Sequence, residues 1–591
     1  MESKVLKKRG EIQDKDKWAV NEIYSCDEEW EREYKELQEE APKLKNFEGK
    51  LGDAKVLEEY FEVNEKISRK AEKIYVYAHL RSDEDTSNTT YQAMMNKIDA
   101  YMAEYATYTA YVVPEILALP DGTIEKLMNE NKGLEPYKFL IENVLDKKEE
   151  ELLAAASDCL DAPSSIHNIM TNADMKFGNI KDEDGEEVEL TEGNYSSFIK
   201  SKDRNVRKAA FERLFGEYKS FENTLATTLS SSIKVFNFGA KIRNYNSALE
   251  ASLKPNDIPT EVYTNAVKTI NDNLSSLHRY VKLKKKLLGL EEMHMYDLYV
   301  PVIEVPKEHV EFDKAVEMAV EGLNPLGKEY LDIFQGGING GWIDKYINKG
   351  KRGGAYSWGG YDTKPYVLLN YNYELNDVST LVHEMGHSIH SYYSRKEQSY
   401  YYAGYTLFCA EVASTTNEAL LIHHLINKET DKKKKLYLIN QELEQIRTTV
   451  FRQLMFAEFE LYTHESFEKG LPLTAQDYNA KWHELNVKYF GPDMVVDSDI
   501  DVEWSRIPHF YSDFYVYQYA TGYAAASAFA NSILNGEKDA VEKYVGFLKS
   551  GGSDYPIEIL KKAGVDMTTS KPLEATINRF NELLDMLEKE I

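Results

Sequence analysis

From Asp53 onward the apolar residues of this chain recur at every third or fourth position. The stretch "DAKVLEEYFEVNEKISRKAEKIYVYAHL" shows the pattern, and it continues through most of the 591 residues. A chain with that period buries its apolar surface by packing helix faces together, so the predicted fold class is mainly α. A few segments depart from it. "MKFGNIKDEDGEEVELT", Met175 to Thr191, carries a run on each side of Asp184-Gly185 and predicts a β-hairpin. "MYDLYVPV" (Met295 to Val302) and "KPYVLLNYNYE" (Lys364 to Glu374) predict strands. The glycine-rich "KGKRGGAYSWGGYDTKPY" before the last of these lacks the GxGxxG order and the following helix of a phosphate loop, which argues against a nucleotide site. A fresh amphipathic run, "SKDRNVRKAAFERLFGEYKSFENTL", follows the hairpin. It puts an expected boundary near residue 200, between a helical N-terminal domain (1–200) and a larger domain (201–591).

Charge narrows the possible partners. With 71 basic against 99 acidic residues the formal charge is −28, which repels nucleic acid and anionic lipid. No window approaches the ~18 uninterrupted apolar residues of a membrane span, and the first residues carry no apolar run that would serve as a signal peptide. The expected compartment is therefore the cytoplasm. Cys26, Cys159 and Cys409 are far apart and in no CxxC spacing, so neither a disulfide framework nor a thiolate zinc site is indicated. The basic run Lys432 to Lys435 reads as the solvated start of a helix. The 42 tyrosines, against 23 phenylalanines, read mostly as helical core residues with wet tips, though a tyrosine-rich cleft also grips peptide backbones.

The densest chemistry lies in "NDVSTLVHEMGHSIHSYY", Asn376 to Tyr393. Asn376 or Asp377 is expected to cap a helix there. On that helix His383 and His387 stand at i and i+4, about 40° apart around the axis, so that two imidazoles project from one face as a metal clamp. Glu384 falls beside that face, near enough to hold a metal-bound water. This is the HExxH pattern. Zinc on such ligands with one open position activates water and polarises a carbonyl, while an adjacent carboxylate takes the proton, and peptide-bond hydrolysis needs both. Gly386, inside the motif, costs the helix about 1 kcal/mol relative to Ala and marks a place where something approaches the backbone closely.

Twenty-four residues after His387, "AGYTLFCAEVASTTNEALLIHHL" supplies Glu411 on a second helical segment, in the order of the His₂Glu zinc peptidases. Glu418, seven residues further and nearly on the same face, is placed to orient a ligand imidazole through its second nitrogen. His423 and His424 are adjacent, point about 100° apart and cannot share one metal. His390 lies too far along the helix axis to complete the site and is expected to pack behind it.

"HEMGHSIH", "CAEVASTTNEAL" and the late "IPHFYSDFYVYQYATGYAAASAFA" together resemble the thimet-oligopeptidase family of zinc metallopeptidases, and within it the oligoendopeptidase F subfamily. The resemblance spans roughly residues 200 to 585 as catalytic region, with the N-terminal part similar to the subfamily's N-terminal domain. It implies a large helical bowl or channel enclosing one Zn²⁺, and internal cleavage of short unfolded oligopeptides. It carries zinc ligation onto His383, His387 and Glu411 and the general base onto Glu384. It also carries hydrogen bonding to the transition state onto His509 and a tyrosine of "FYVYQY", with Tyr515 the first choice and Tyr517 the second. Donors of this kind aimed at an oxyanion are worth a few kcal/mol each. Two further readings are an exopeptidase of the same zinc type and a non-catalytic helical peptide-binding protein; an intact Glu384 speaks against the latter. The strand before the zinc helix is expected to offer an edge to extended substrates.

Overall fold

The computed structural model describes residues 6–120, 122–137, 159–303 and 308–590. Nearly all regular structure is helical, as the three-to-four period predicts, and the strands are only two to six residues long. Two compact units are formed, each from three separate stretches. Met1–Glu151, Lys307–His424 and Phe529–Gly564 make the first, and Leu152–Pro306, Leu425–Ala528 and Val565–Ile591 the second. Among the described residues no helix is long and apolar enough to cross a membrane.

Among the described residues, three small sheets interrupt the helices. β1 (Asn179–Lys181) and β2 (Glu187–Glu189) form the expected antiparallel hairpin, turning at Gly185 with φ +83°. β3 (Met293–His294) runs parallel to the distant β7 (Met494–Val495). β4 (Ile343–Tyr346), β5 (Tyr356–Trp358) and β6 (Tyr366–Tyr371) make the third sheet in the order β4-β6-β5, parallel then antiparallel. Two sequence expectations are corrected here. Met295–Val302 is not a strand. It opens with a 3₁₀ turn, Met295–Asp297, because the buried Asp297 carboxylate folds back to accept the His294 N–H and is clamped by Arg204 and Arg207 at 2.9 and 2.6 Å. β6 exists but lies in the middle of its sheet, so its backbone groups are taken on both sides and it offers no edge; the edges are β4 and β5. Its unbroken apolar run, Tyr366 to Leu369, is that of a strand buried on both faces.

In the first unit, α1 (Ala54–Glu84) begins where the period begins, with the Asp53 carboxylate accepting from the Lys55 and Val56 amides. It buries Leu57, Tyr60, Phe61, Ile67, Ile74 and Leu80 in a core that Tyr366 and Leu368 of β6 also enter. β6 leads directly into α2 (Leu375–Glu397), which is followed by α3 (Leu407–Lys428). In the second unit, α4 (Arg452–Glu468) packs against helices Glu222–Ile242 and Thr260–Asp272. The four-lysine run does open a helix, Lys432–Ile446, capped by Asp431.

Candidate metal centre

The cap of α2 falls two residues earlier than Asn376. Glu374 is the N-cap, and Asp377, in the first turn, reaches back to accept the amides of Glu374 and Asn372 at 2.8 and 2.9 Å. Val378, Leu381, Val382, Met385 and Ile389 then form a stripe with no exposed surface, and Ser388 is held by Ser357 of β5 at 2.8 Å. Burying that stripe turns His383 and His387 to the opposite, half-buried side of the helix.

Two contacts lock α3 against this helix. A Cβ on Gly386 would stand 2.7 Å from the Ser414 Cα and 3.0 Å from the Ala413 carbonyl oxygen. One turn earlier on α2, the fully buried Asn417 donates to the Val382 carbonyl at 3.0 Å while accepting from the Tyr330 hydroxyl at 2.8 Å. The close approach that the glycine marks is therefore that of α3, which carries Glu411. Gly386→Ala is expected to cost about 1–3 kcal/mol by overpacking, because the nearest atoms are backbone and cannot rotate away. It should also retain less metal, since α3 must move. Thermal melts and metal analysis of the purified variant check both, and an unchanged melt with full metal content would count against the contact.

Three donors converge as a result. The two histidine Nε2 atoms are 3.2 Å apart, and each lies 3.5 Å from Glu411 Oε2. Ligands ~2.1 Å from a tetrahedral zinc are separated by ~3.4 Å, so these donors already have the spacing of one face of such a site. Among the described residues they are the one His/Cys/Asp/Glu group close enough to share a metal ion.

The surroundings orient the donors. Glu418 Oε2 lies 3.2 Å from His383 Nδ1, and Ser379 donates to its other oxygen at 3.0 Å, which fixes the ring with Nε2 toward the group. Ser414 donates to Glu411 Oε2 at 3.1 Å. Electrostatically the cluster favours a cation. Hydrogen bonding from His387, with help from both imidazoles and Ser414 and against burial, brings the Glu411 carboxyl down to about 2. Burial alone would lower His383, but Glu418, Glu384 and Glu411 outweigh it and raise the imidazole to about 9. Glu384, only 8% exposed, is pushed up by burial, with the two imidazoles opposing. A buried carboxyl beside the donors whose proton affinity is raised is suited to taking a proton from water.

His390 is not among the clustered donors. Its ring stacks on Tyr405 at 3.7 Å, and burial brings its pKa down to about 3, so it is a neutral packing group. His423 and His424 do not join the cluster either; His424 faces Glu321.

In the second unit, His509, Tyr515 and Tyr519 come together. The Tyr519 hydroxyl is 3.4 Å from His509 Nε2 and 3.5 Å from the Tyr515 hydroxyl, and the His509 and Tyr515 rings lie nearly parallel at 5.8 Å. Burial lowers the His509 pKa. Tyr517 is turned the other way, 1% exposed, with its ring 5.0 Å from that of Tyr263. Sequence reasoning did not single out Tyr519 from its neighbours; it lies in the first turn of the helix Tyr517–Leu534, four residues after Tyr515. Asn417 was also missed; the polar run "STTN" inside an otherwise apolar helix marked it.

The chain matches known proteins along nearly its whole length. The model of Peptidase family M3 matches residues 197–579, and that of Oligopeptidase F matches residues 115–177. Oligopeptidase PepF of Bacillus subtilis is 47% identical over 99% of this chain and 88% of its own length. The crystal structure of oligoendopeptidase-F from Enterococcus faecium matches at 40% identity and a TM-score of 0.73, covering 95% of this chain and 99% of that one. A solved structure from Chlamydophila abortus matches at 36% identity and a TM-score of 0.95, covering 99% and 100%.

Proposed function

Because the chain belongs to peptidase family M3, within the oligoendopeptidase F group, and is a peptidase, we propose that it is a zinc-dependent oligoendopeptidase acting on internal bonds of short unfolded peptides. The observation that carries this reading is the triangle of His383, His387 and Glu411 donor atoms with the buried Glu384 beside it.

His383, His387 and Glu411 would hold the zinc, which when bound would supply Lewis acidity and lower the pKa of a water toward ~7. Glu384 accepts the proton of the attacking water and returns it to the leaving amine. Glu418 keeps His383 in the tautomer that presents Nε2, and Ser414 steadies the Glu411 carboxylate. His509 and Tyr515 donate hydrogen bonds to the oxyanion of the tetrahedral intermediate. Tyr515 is preferred over Tyr517 for that role, because Tyr517 is packed in a core and Tyr515 is only partly buried beside His509. The division near residue 200 is proposed as one of family modules, supported by the two matched ranges.

The test is metal analysis of the purified protein followed by mass-spectrometric mapping of cuts in a mixed peptide library. Expected are one zinc ion per chain, cuts inside short peptides, and survival of stable folded proteins. Cuts confined to peptide ends would replace the reading with an exopeptidase. Full zinc without any cutting would make the chain a binding protein, and efficient digestion of native folded proteins would remove the restriction to short peptides.

A further inference from the structure

Tyr515 follows Phe514, whose φ of +59° lies in the left-handed region that a bulky aromatic residue seldom occupies. Such a backbone persists only where its surroundings hold it, and it recurs at functional sites. Here side chains from separate elements do the holding. Glu460 of α4, 1% exposed, accepts the Phe514 N–H at 2.7 Å. One turn along the same face of α4, His464 Nε2 lies 3.3 Å from Asp513 Oδ1, and its ring is 4.5 Å from that of Phe514. Asn237 meets the other His464 nitrogen at 3.2 Å. Ser252 donates to the Asp513 carbonyl at 3.1 Å. The Phe514 ring itself is sunk against Phe236 and Tyr263. By contrast, the Tyr515 side chain is only partly buried, and its ring meets His509 and Tyr519. The turn before it therefore does more than side-chain packing to fix its direction.

We infer that Glu460, supported by His464 and Ser252, is a positioning residue for catalysis: it locks the Asp513–Phe514 turn and thereby sets where the Tyr515 hydroxyl points. The inference rests on the reading of Tyr515 as an oxyanion donor. Burial raises the Glu460 carboxyl well above its ordinary range, with Asp513 adding to the rise and the Phe514 N–H opposing it. Glutamine has nearly the same shape and keeps the acceptor oxygen that takes the Phe514 N–H.

The test compares Glu460→Leu, Glu460→Gln and Ser252→Ala, each in the native and in the Tyr515→Phe background. Steady-state kinetics on a fluorogenic short peptide are read together with the Ki of a phosphinic peptide that mimics the tetrahedral intermediate. Tyr515→Phe is expected to lower kcat by about 10²–10³-fold, as loss of one oxyanion donor does. Glu460→Leu is expected to lower kcat by about 10²-fold with KM within about threefold and with Ki rising in step, while Glu460→Gln stays within about threefold of the native enzyme. In the Tyr515→Phe background the Glu460→Leu loss should shrink to less than about threefold, because the group it positions is gone. Should Glu460→Leu fail to fold, Ser252→Ala runs the same cycle with an expected loss of about 3–10-fold, again absent beside Tyr515→Phe. Losses that multiply in both backgrounds, or a folded Glu460→Leu with native kcat, would overturn the positioning role while leaving Tyr515 as a donor. Native kcat in Tyr515→Phe alone would instead remove the donor reading, and this inference with it.

Discussion

Glu384→Gln is expected to purify with its zinc and to lose turnover by about 10²–10⁴-fold or more. The metal should stay because the three donors that lie within 3.5 Å of one another are His383, His387 and Glu411, and Glu384 is not among them. Turnover should fall because the amide has nearly the same shape but cannot take a proton from water at neutral pH. Folding should be little affected, since the change also removes a carboxylate from a site that already crowds three of them around two imidazoles. The measurement is zinc content beside kcat on a short peptide. A variant with full zinc and native turnover would end the general-base assignment, and one that loses its zinc would make Glu384 part of the metal site.

Glu411→Ala is expected to lose zinc and activity together, whereas His390→Ala keeps one zinc per chain and at most loses rate. His390 is a tempting third ligand because it follows His383 by seven residues on one helix face. An α-helix rises about 1.5 Å per residue, so a metal midway between His383 and His387 sits ~3 Å along the axis and His390 starts ~10.5 Å along. Its imidazole would have to span ~7.5 Å axially and still arrive at ~2.1 Å. The structure puts it to another use, stacked on Tyr405 and 1% exposed. Glu411 arrives from a different helix and closes the triangle from the side. Metal analysis of both variants decides between them. Zinc retained in Glu411→Ala and lost in His390→Ala would reverse the ligand assignment and leave the peptidase family untouched.

Where interactions were local, the residues announced the result. Asp184-Gly185 set the hairpin between β1 and β2 through a turn that needs a positive φ. The i, i+4 spacing of His383 and His387 became a donor pair because helix geometry alone puts them on one face. The expected strand at Met295 failed for the opposite reason: its backbone is bent by a buried Asp297 whose partners, Arg204 and Arg207, lie some ninety residues earlier in the chain. β6 was legible as a strand but not as a middle one, because its neighbours are short and one lies hidden in a glycine-rich loop.

The candidate site divides the same way. The sequence by itself determined the helix, the two imidazoles, the adjacent carboxylate and a glutamate of the right kind downstream, since each follows from residue type and helical period. Only the tertiary structure decided that Glu411 stands 3.5 Å from both imidazoles, that Glu418 backs His383, and that Tyr515 sits with His509 while Tyr517 faces Tyr263. The physical reason is one of range. Helical period is dictated by residues three and four apart, but the direction from which a second helix arrives is dictated by the bare backbone of Gly386 meeting Ser414. The direction of a tyrosine is dictated by which buried acceptor captures the amide before it.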